Sequence, residues 1–140
     1  MGTDRFASPD VIKQIVESSK VIAVVGLSDK PDRASYSVAS YLKKQGYKII
    51  PVNPTKSEIL GEKSYPDLKS IPEPIDIVDV FRKSDAVGPI VDEAIEINAK
   101  AVWLQEGVIN EEAAAKASDA GLSVVMDRCL LKEHYRLNSH

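Results

Sequence analysis

The chain is 140 residues long, 44% hydrophobic and 28% charged, which suits one globular domain with a continuous core and excludes a disordered chain. Its net charge of -3 argues against electrostatic binding to nucleic acid or a membrane surface, so an anionic ligand has to be caught by local groups. Cys129 is the single cysteine and Met1 to Lys20 contains no apolar signal core; with an apolar run at Val21 to Val25 far too short to cross a bilayer, a cytoplasmic protein is expected.

Ser8-Pro9-Asp10 opens a helix, with Ser8 as cap and Pro9 at the first helical position, where its missing N–H costs nothing. Ile12, Ile15 and Val16 share one face of that helix through about residue 19. Val21 to Val25 follows as an unbroken apolar run ended by Gly26, the pattern of a strand buried on both faces of a parallel sheet. A second helix is expected from about Ala34 to Gln45, with Val38, Tyr41 and Leu42 inward and Gly46 closing it. Tyr47 to Val52 and Ile75 to Phe81 read as the second and third strands, and a long helix begins at Ser84 or Asp85 and runs to about Asn98. Lys100 to Leu104 is the fourth strand, Asn110 caps a helix that Gly121 ends, Leu122 to Met126 is the fifth strand, and Leu130 to Leu137 a short closing helix.

Strands alternating with helices predict a single α/β domain over residues 1–140, with residues 1–7 and 138–140 flexible. Its core is a Rossmann-like, doubly wound parallel sheet of about five strands with helices on both faces. Each strand ends in polar or glycine punctuation, namely Gly26, Asn53, Arg82, Gln105 and Asp127. Ligands of such sheets bind outside those carboxyl ends, at the point where the strand order reverses.

The segment from Gly26 through Leu27 and Ser28 to Ser37 joins a strand to a helix start, the generic anion cradle. Gly26 is its only glycine, so the G-x-G-x-x-G fingerprint of dinucleotide sites is absent, and no nucleoside triphosphate loop replaces it. Ser28, Lys30, Arg33, Ser35 and Ser37 stand there instead; hydroxyls and a guanidinium can grip pyrophosphate oxygens, while the competing reading makes Ser35 a helix cap and leaves Arg33 in solvent. After the second strand comes Asn53-Pro54, where binders of unphosphorylated NAD carry Asp or Glu for the ribose hydroxyls. A neutral amide tolerates a phosphorylated ribose and points to coenzyme A (CoA) or NADP.

The run VVGLSDKPDRASYSVASYLKKQGYKIIPVNP at residues 24–54 is followed by GEKSYPDLKSIP, VDVFR at 78–82, VWLQEGVINEEAA from 102 and VVMDRC at 124–129. In that order these blocks resemble the small single-domain CoA-binding proteins, which are similar in turn to the CoA-binding domain of the succinyl-CoA synthetase α subunit. The resemblance covers about residues 8 to 137. It implies a sheet holding CoA by its adenosine diphosphate end, with Gly26, Ser28, Arg33 and Ser35 at the phosphates and Leu27 and Lys30 in the same loop. It also implies Asn53 and Pro54 beside the adenosine, Phe81 and Arg82 closing the third strand, and Trp103, Gln105 and Gly107 along the pantetheine arm. The richer glycine loop of the synthetase domain is missing, which removes support for ligase activity.

Chemistry beyond binding has few candidates. Cys129 lies three residues past the fifth strand; it either meets the CoA thiol as a mixed disulfide or redox sensor, or packs as a small apolar residue against the last helix. His134 and His140 lack companion ligands at metal spacing, and His134 is read as a cap of the final helix. Asp76 and Asp79 fall on opposite phases of one strand and so form no acid–base pair. No catalytic residue is identified. The expectation is a non-catalytic or accessory CoA or acyl-CoA binder, a carrier or regulator, with a homodimer or another protein as partner and no nucleic acid or membrane partner. The alternatives are an NADP- or acyl-CoA-dependent enzyme and a nucleotide-sensing regulatory domain.

Overall fold

A computed structural model describes residues 5–138. In chain order the elements are α1 (Pro9–Ser18), β1 (Val21–Val25), α2 (Ala34–Lys44), β2 (Lys48–Val52), β3 (Glu58–Ile59), β4 (Glu62–Lys63), β5 (Ile77–Val80), α3 (Val87–Glu96), β6 (Ala101–Leu104), α4 (Glu111–Asp119), β7 (Ser123–Val125) and α5 (Leu130–Asn138). Five strands form one all-parallel sheet in the order β2-β1-β5-β6-β7. This is the expected Rossmann-like α/β fold, and the neighbours of β1 place the switch point between β1 and β5.

Side-chain alternation along each strand divides the apolar residues between two layers. Ile22, Val24, Ile49, Ile77, Ala101, Trp103 and Val125 pack with Ile12 and Ile15 of α1, Val38 and Leu42 of α2 and Leu130 of α5. Ala23, Val25, Ile50, Val78, Val80, Val102 and Leu104 pack on the other side with Val87 and Val91 of α3, Ala114 and Ala117 of α4, and Leu68 and Ile71 from the connection before β5. Helices cover both faces, which is why the strands read as continuous apolar runs.

The helix termini differ in detail from the sequence reading. Ser8 is the N-cap of α1 by position, but its hydroxyl makes no capping hydrogen bond. Helix α2 starts one residue after Arg33, so Ser35 lies inside the first turn and is not the cap. Asn110 does cap α4, its Oδ1 accepting from the Ala113 N–H at 3.0 Å. The helix expected from Ser84 begins as a 3₁₀ turn over Ser84–Ala86 and becomes α-helical at Val87. Phe6, assigned to a flexible N-terminus, is buried and its carbonyl accepts from Met126 N–H at 2.8 Å. Asn138 likewise belongs to α5, donating from Nδ2 to the His134 carbonyl; His140 lies outside the described residues.

The connection from β2 to β5 has no α-helix. It forms the β3–β4 hairpin, whose turn residues Leu60 and Gly61 have φ of 57° and 74°, a primed turn matching strand twist. Tyr65 then lies alongside β2, its N–H donating to the Pro51 carbonyl and its carbonyl accepting from Asn53 N–H, which covers the open edge of the sheet. At the opposite end of β1, Asp76 Oδ2 accepts from the N–H groups of Lys20 and Val21 at 2.8 and 2.9 Å, tying the start of β1 to that of β5. Among the described residues no helix is long and apolar enough to cross a membrane.

Candidate functional site

A cleft of about 750 Å³ opens at the carboxyl edge of the sheet. Its lining follows the strand order: Asn53 and Lys56 after β2, Gly26 to Ser35 after β1, Phe81 to Lys83 after β5, Gln105 to Val108 after β6, and Cys129 after β7.

Gly26 is fixed by the packing at this edge. Its φ is +86°, and a Cβ there would stand 2.3 Å from the Phe81 carbonyl oxygen, a separation that no side chain can occupy. The backbone of β1 thus approaches β5 closely where the chain turns outward, and Gly26 N–H donates to the Val52 carbonyl at 3.0 Å. The loop beyond is held by its own hydroxyls. Ser35 Oγ accepts from Ser28 N–H at 3.0 Å, and Ser28 Oγ accepts from Lys30 N–H at 3.1 Å. Asn53 joins the second strand to this loop, its Nδ2 donating to the Leu27 carbonyl at 3.0 Å while Oδ1 accepts from Thr55 N–H. Side chains therefore set the loop shape that several glycines provide in a shorter cradle.

Five cations line the cleft: Lys30, Arg33, Lys56, Arg82 and Lys83. Lys56 pairs with Asp29 at 3.1 Å, and its hydrogen bond holds the Asp29 carboxyl below the usual range. Glu106, the other lining carboxylate, pairs with Lys132 of α5 at 3.0 Å. Lys30, Arg33, Arg82 and Lys83 have no ion-pair partner among the described residues. The cleft is cationic although the chain is acidic, and Arg33 stands beside the N-terminus of α2, where the helix dipole adds to its field.

The floor beneath Gln105 holds a buried acid. Asp79 of β5 is fully buried; Gln105 Nε2 donates to its Oδ1 at 2.7 Å, and its Oδ2 has no hydrogen-bond partner among the described residues. Burial pushes its carboxyl up to about 7, with the Gln105 hydrogen bond acting in the opposite direction. Cys129 is also buried, and burial raises its thiol above the ordinary range.

The cleft thus collects Gly26, Ser28, Lys30, Arg33, Ser35, Asn53, Phe81, Arg82, Gln105 and Cys129 from the residues that sequence singled out. It does not collect four others. Leu27 is wholly buried in the core and contributes only its carbonyl. Pro54 faces a separate cavity of about 350 Å³, formed with Val25, Pro66 and Ile90, that shares Arg82 with the cleft. Trp103 is wholly buried, its indole N–H donating to the Arg128 carbonyl at 2.9 Å. Gly107 lies outside the lining, its N–H held by Asp127 Oδ1 at 2.7 Å. Lys56 and Lys83 were missed, although a cation three or four residues beyond a strand's carboxyl end is a usable signal; Asp79 was dismissed with its strand. His134 is no cap: it lies in the middle of α5, buried where that helix meets α2, with Nδ1 2.8 Å from Tyr41 Oη.

Residues 20–135 match the family described as CoA binding domain. An uncharacterized protein of Bacillus subtilis, YneT, is 48% identical over 88% of this chain and 91% of its own length. The α subunit of an ADP-forming acetate–CoA ligase II from Pyrococcus furiosus is 29% identical over 84% of the chain, which spans only 29% of that subunit. A solved hypothetical protein from Pyrococcus horikoshii superposes with a TM-score of 0.91 at 42% identity, covering 94% of this chain and 93% of that one. The chain belongs to the CoA-binding domain family.

Proposed function

We propose that this member of the CoA-binding domain family binds coenzyme A, with the adenosine diphosphate end in the cationic half of the cleft and the pantetheine arm directed towards β7. The observation that carries the reading is the set of four cations without carboxylate partners among the described residues, gathered at the switch point of a chain whose net charge is -3. Like charges held together in an otherwise acidic protein repel one another until an anion arrives. Arg33 and the Ser28–Ser35 loop suit a pyrophosphate, because a guanidinium and oriented N–H groups bind phosphate oxygens with charge-assisted hydrogen bonds. Asn53 keeps a carboxylate away from the ribose, in keeping with a phosphorylated ribose. Coenzyme A is held here by an accessory protein, a carrier or regulator, since the groups gathered at the loop are phosphate-gripping hydroxyls, amides and cations.

Calorimetry with CoA, NADP and NAD on the purified protein, together with identification of any ligand released on denaturation, tests this reading. CoA is expected to bind most tightly; tighter binding of NAD or NADP overturns it. Arg33→Ala should weaken CoA by about 1.5–3 kcal/mol, roughly tenfold to a hundredfold, without loss of fold, because Arg33 is exposed and ion-pairs with no described residue. An unchanged affinity would place the phosphates elsewhere.

A further inference from the structure

We infer that Asp79 is a positioning residue for Gln105. Its protonation sets which end of the Gln105 amide faces the cleft, and so whether a bound pantetheine arm meets an acceptor or a donor there. The inference rests on the CoA-binding reading and adds a proton-controlled polarity to the arm's half of the cleft.

The contact is direct. Gln105 lines the cleft after β6, and its Nε2 donates to Asp79 Oδ1 at 2.7 Å. Gln105 Oε1 accepts no hydrogen bond from a described residue, yet among the described residues Asp79 Oδ2 is the one buried side-chain polar atom without a partner. Oε1 is therefore open to the cleft. An ionised carboxylate only accepts, so it holds Nε2 inward and leaves Oε1 outward; a protonated carboxyl carries one O–H donor. Val24 of β1 and Trp103 of β6 flank Asp79 in register, and neither side chain accepts a hydrogen bond. A proton on Oδ2 would thus be a buried donor without an acceptor, which is costly. On Oδ1 it donates to Gln105 Oε1 once the amide has turned, and Nε2 then faces the cleft. The turn uses the terminal side-chain torsion, which is broad and two-fold, and moves no backbone.

The atom that Gln105 presents outward in the structure is an acceptor, so the complementary ligand group is an N–H, and a pantetheine arm carries one on each of its two amides. Such an N–H is accepted by Oε1 when Asp79 is ionised and meets a second donor when Asp79 is protonated. Burial holds the Asp79 carboxyl at about 7, so both states are populated near neutral pH. CoA should then bind more tightly as pH rises through that value, and its binding should expel a proton from Asp79. The titratable and charged groups on the surrounding elements are Arg82 after β5, Glu106 with its partner Lys132, Arg33 and Tyr41 at and in α2, and Cys129 and His134 towards α5. Burial raises the Cys129 thiol, which stays neutral over this range, and the causes acting on Asp79 are burial first and then Gln105.

The test is calorimetry of the wild-type chain and Asp79→Asn from pH 5.5 to 8.5 with two probes, CoA and 3′-phospho-ADP, which lacks the arm. His134 and the phosphates of each probe titrate alike in both proteins and cancel in the comparison. Between pH 8.5 and 5.5 the wild-type chain should lose about tenfold more CoA affinity than Asp79→Asn does. With 3′-phospho-ADP the two proteins should share one profile. Identical CoA profiles overturn the inference and leave the binding reading standing. The same difference with 3′-phospho-ADP also overturns it, because Asp79 then acts on the fold or the phosphates and not on the arm. Failure to bind CoA at any pH overturns the binding reading, and this inference with it. If Asp79→Asn does not fold, Gln105→Met decides: Asp79 still titrates, but without the amide the excess pH dependence for CoA should vanish, and an unchanged profile refutes the positioning role.

Discussion

Replacing Gly26 by alanine tests how much stability rests on the close approach of β1 to β5 at the cleft mouth. Two costs combine at this position. The backbone has φ of +86°, and an L-residue held in left-handed space costs roughly 1–2 kcal/mol. The added methyl would also stand 2.3 Å from the Phe81 carbonyl oxygen and 2.9 Å from Arg82 Cδ; the side chain can swing away, but the carbonyl belongs to the sheet edge, and forcing such a shift costs about 1–3 kcal/mol. The expected loss is about 2–5 kcal/mol, and at this chain length each kcal/mol lowers Tm by about 3–4 °C. Gly121→Ala is the internal control, because Gly121 has φ of +96° and nothing within 4 Å of its would-be Cβ; it bears the backbone cost alone, about 1–2 kcal/mol. Thermal and urea unfolding of both variants measures the difference, and calorimetry measures CoA affinity, which should drop only in Gly26→Ala because Phe81 and Arg82 line the cleft. Equal destabilisation by the two substitutions would refute the steric argument and leave only the shared backbone strain.

Asn53→Asp removes the Nδ2 bond to the Leu27 carbonyl and places a carboxylate beside the cleft; CoA affinity should fall at least about tenfold, or 1.4 kcal/mol, in calorimetry, with less effect on NAD. Asp79 makes the fold more stable in mild acid: its folded pKa of about 7 lies above the ordinary 3.8, so the folded state keeps a proton the unfolded chain releases. Stability attributable to it is full near pH 4 and lost by on the order of 4 kcal/mol as pH rises past 7, a slope that Asp79→Asn should abolish in urea titrations across pH. His134 has the opposite sign. Burial lowers its pKa from 6.5, so the folded state resists protonation and stability falls as pH drops through that value; His134→Phe should lose that acid-side decline in the same titrations.

The sheet was legible because its strands are buried on both faces. Val21 to Val25 and Ala101 to Leu104 carry no polar alternation, and the helices between them carry clear one-face patterns. The stretch from Asn53 to Asp76 was not legible. Its strands are two residues long and mostly charged, and the turn needs Leu60 at positive φ, a conformation that no sequence rule assigns to leucine; pairing with Lys43, whose Nζ reaches both the Leu60 carbonyl and Glu62, supports it from α2. At the site, sequence could list the residues leaving each strand but not the direction of each side chain. Trp103 and Gln105 share a strand phase, yet the indole turns to the Arg128 carbonyl while the amide reaches back to Asp79. Asp79 reads as an ordinary acid between Val78 and Val80, and only the three-dimensional sheet shows strands on both sides of it.

The same contrast bears on why one glycine serves where comparable cradles use three. A glycine-rich loop binds phosphate through bare backbone and loses more conformational entropy on ordering. Here Gly26 is kept where the Phe81 carbonyl leaves no alternative, and Ser28, Ser35 and Asn53 fix the rest through hydrogen bonds formed before any ligand arrives. Preorganisation of that kind reduces the ordering cost of binding, but it leaves the loop with fewer N–H groups free for phosphate, since those of Ser28 and Lys30 already donate to serine hydroxyls. On the proposed CoA binding, the missing attraction has to come from side-chain charge, and Lys30, Arg33, Arg82 and Lys83 gather it from two segments of an acidic chain. Specificity then resides in side chains and not in the backbone, so substitutions at those cations should change which anion is held while the sheet beneath them stays as it is.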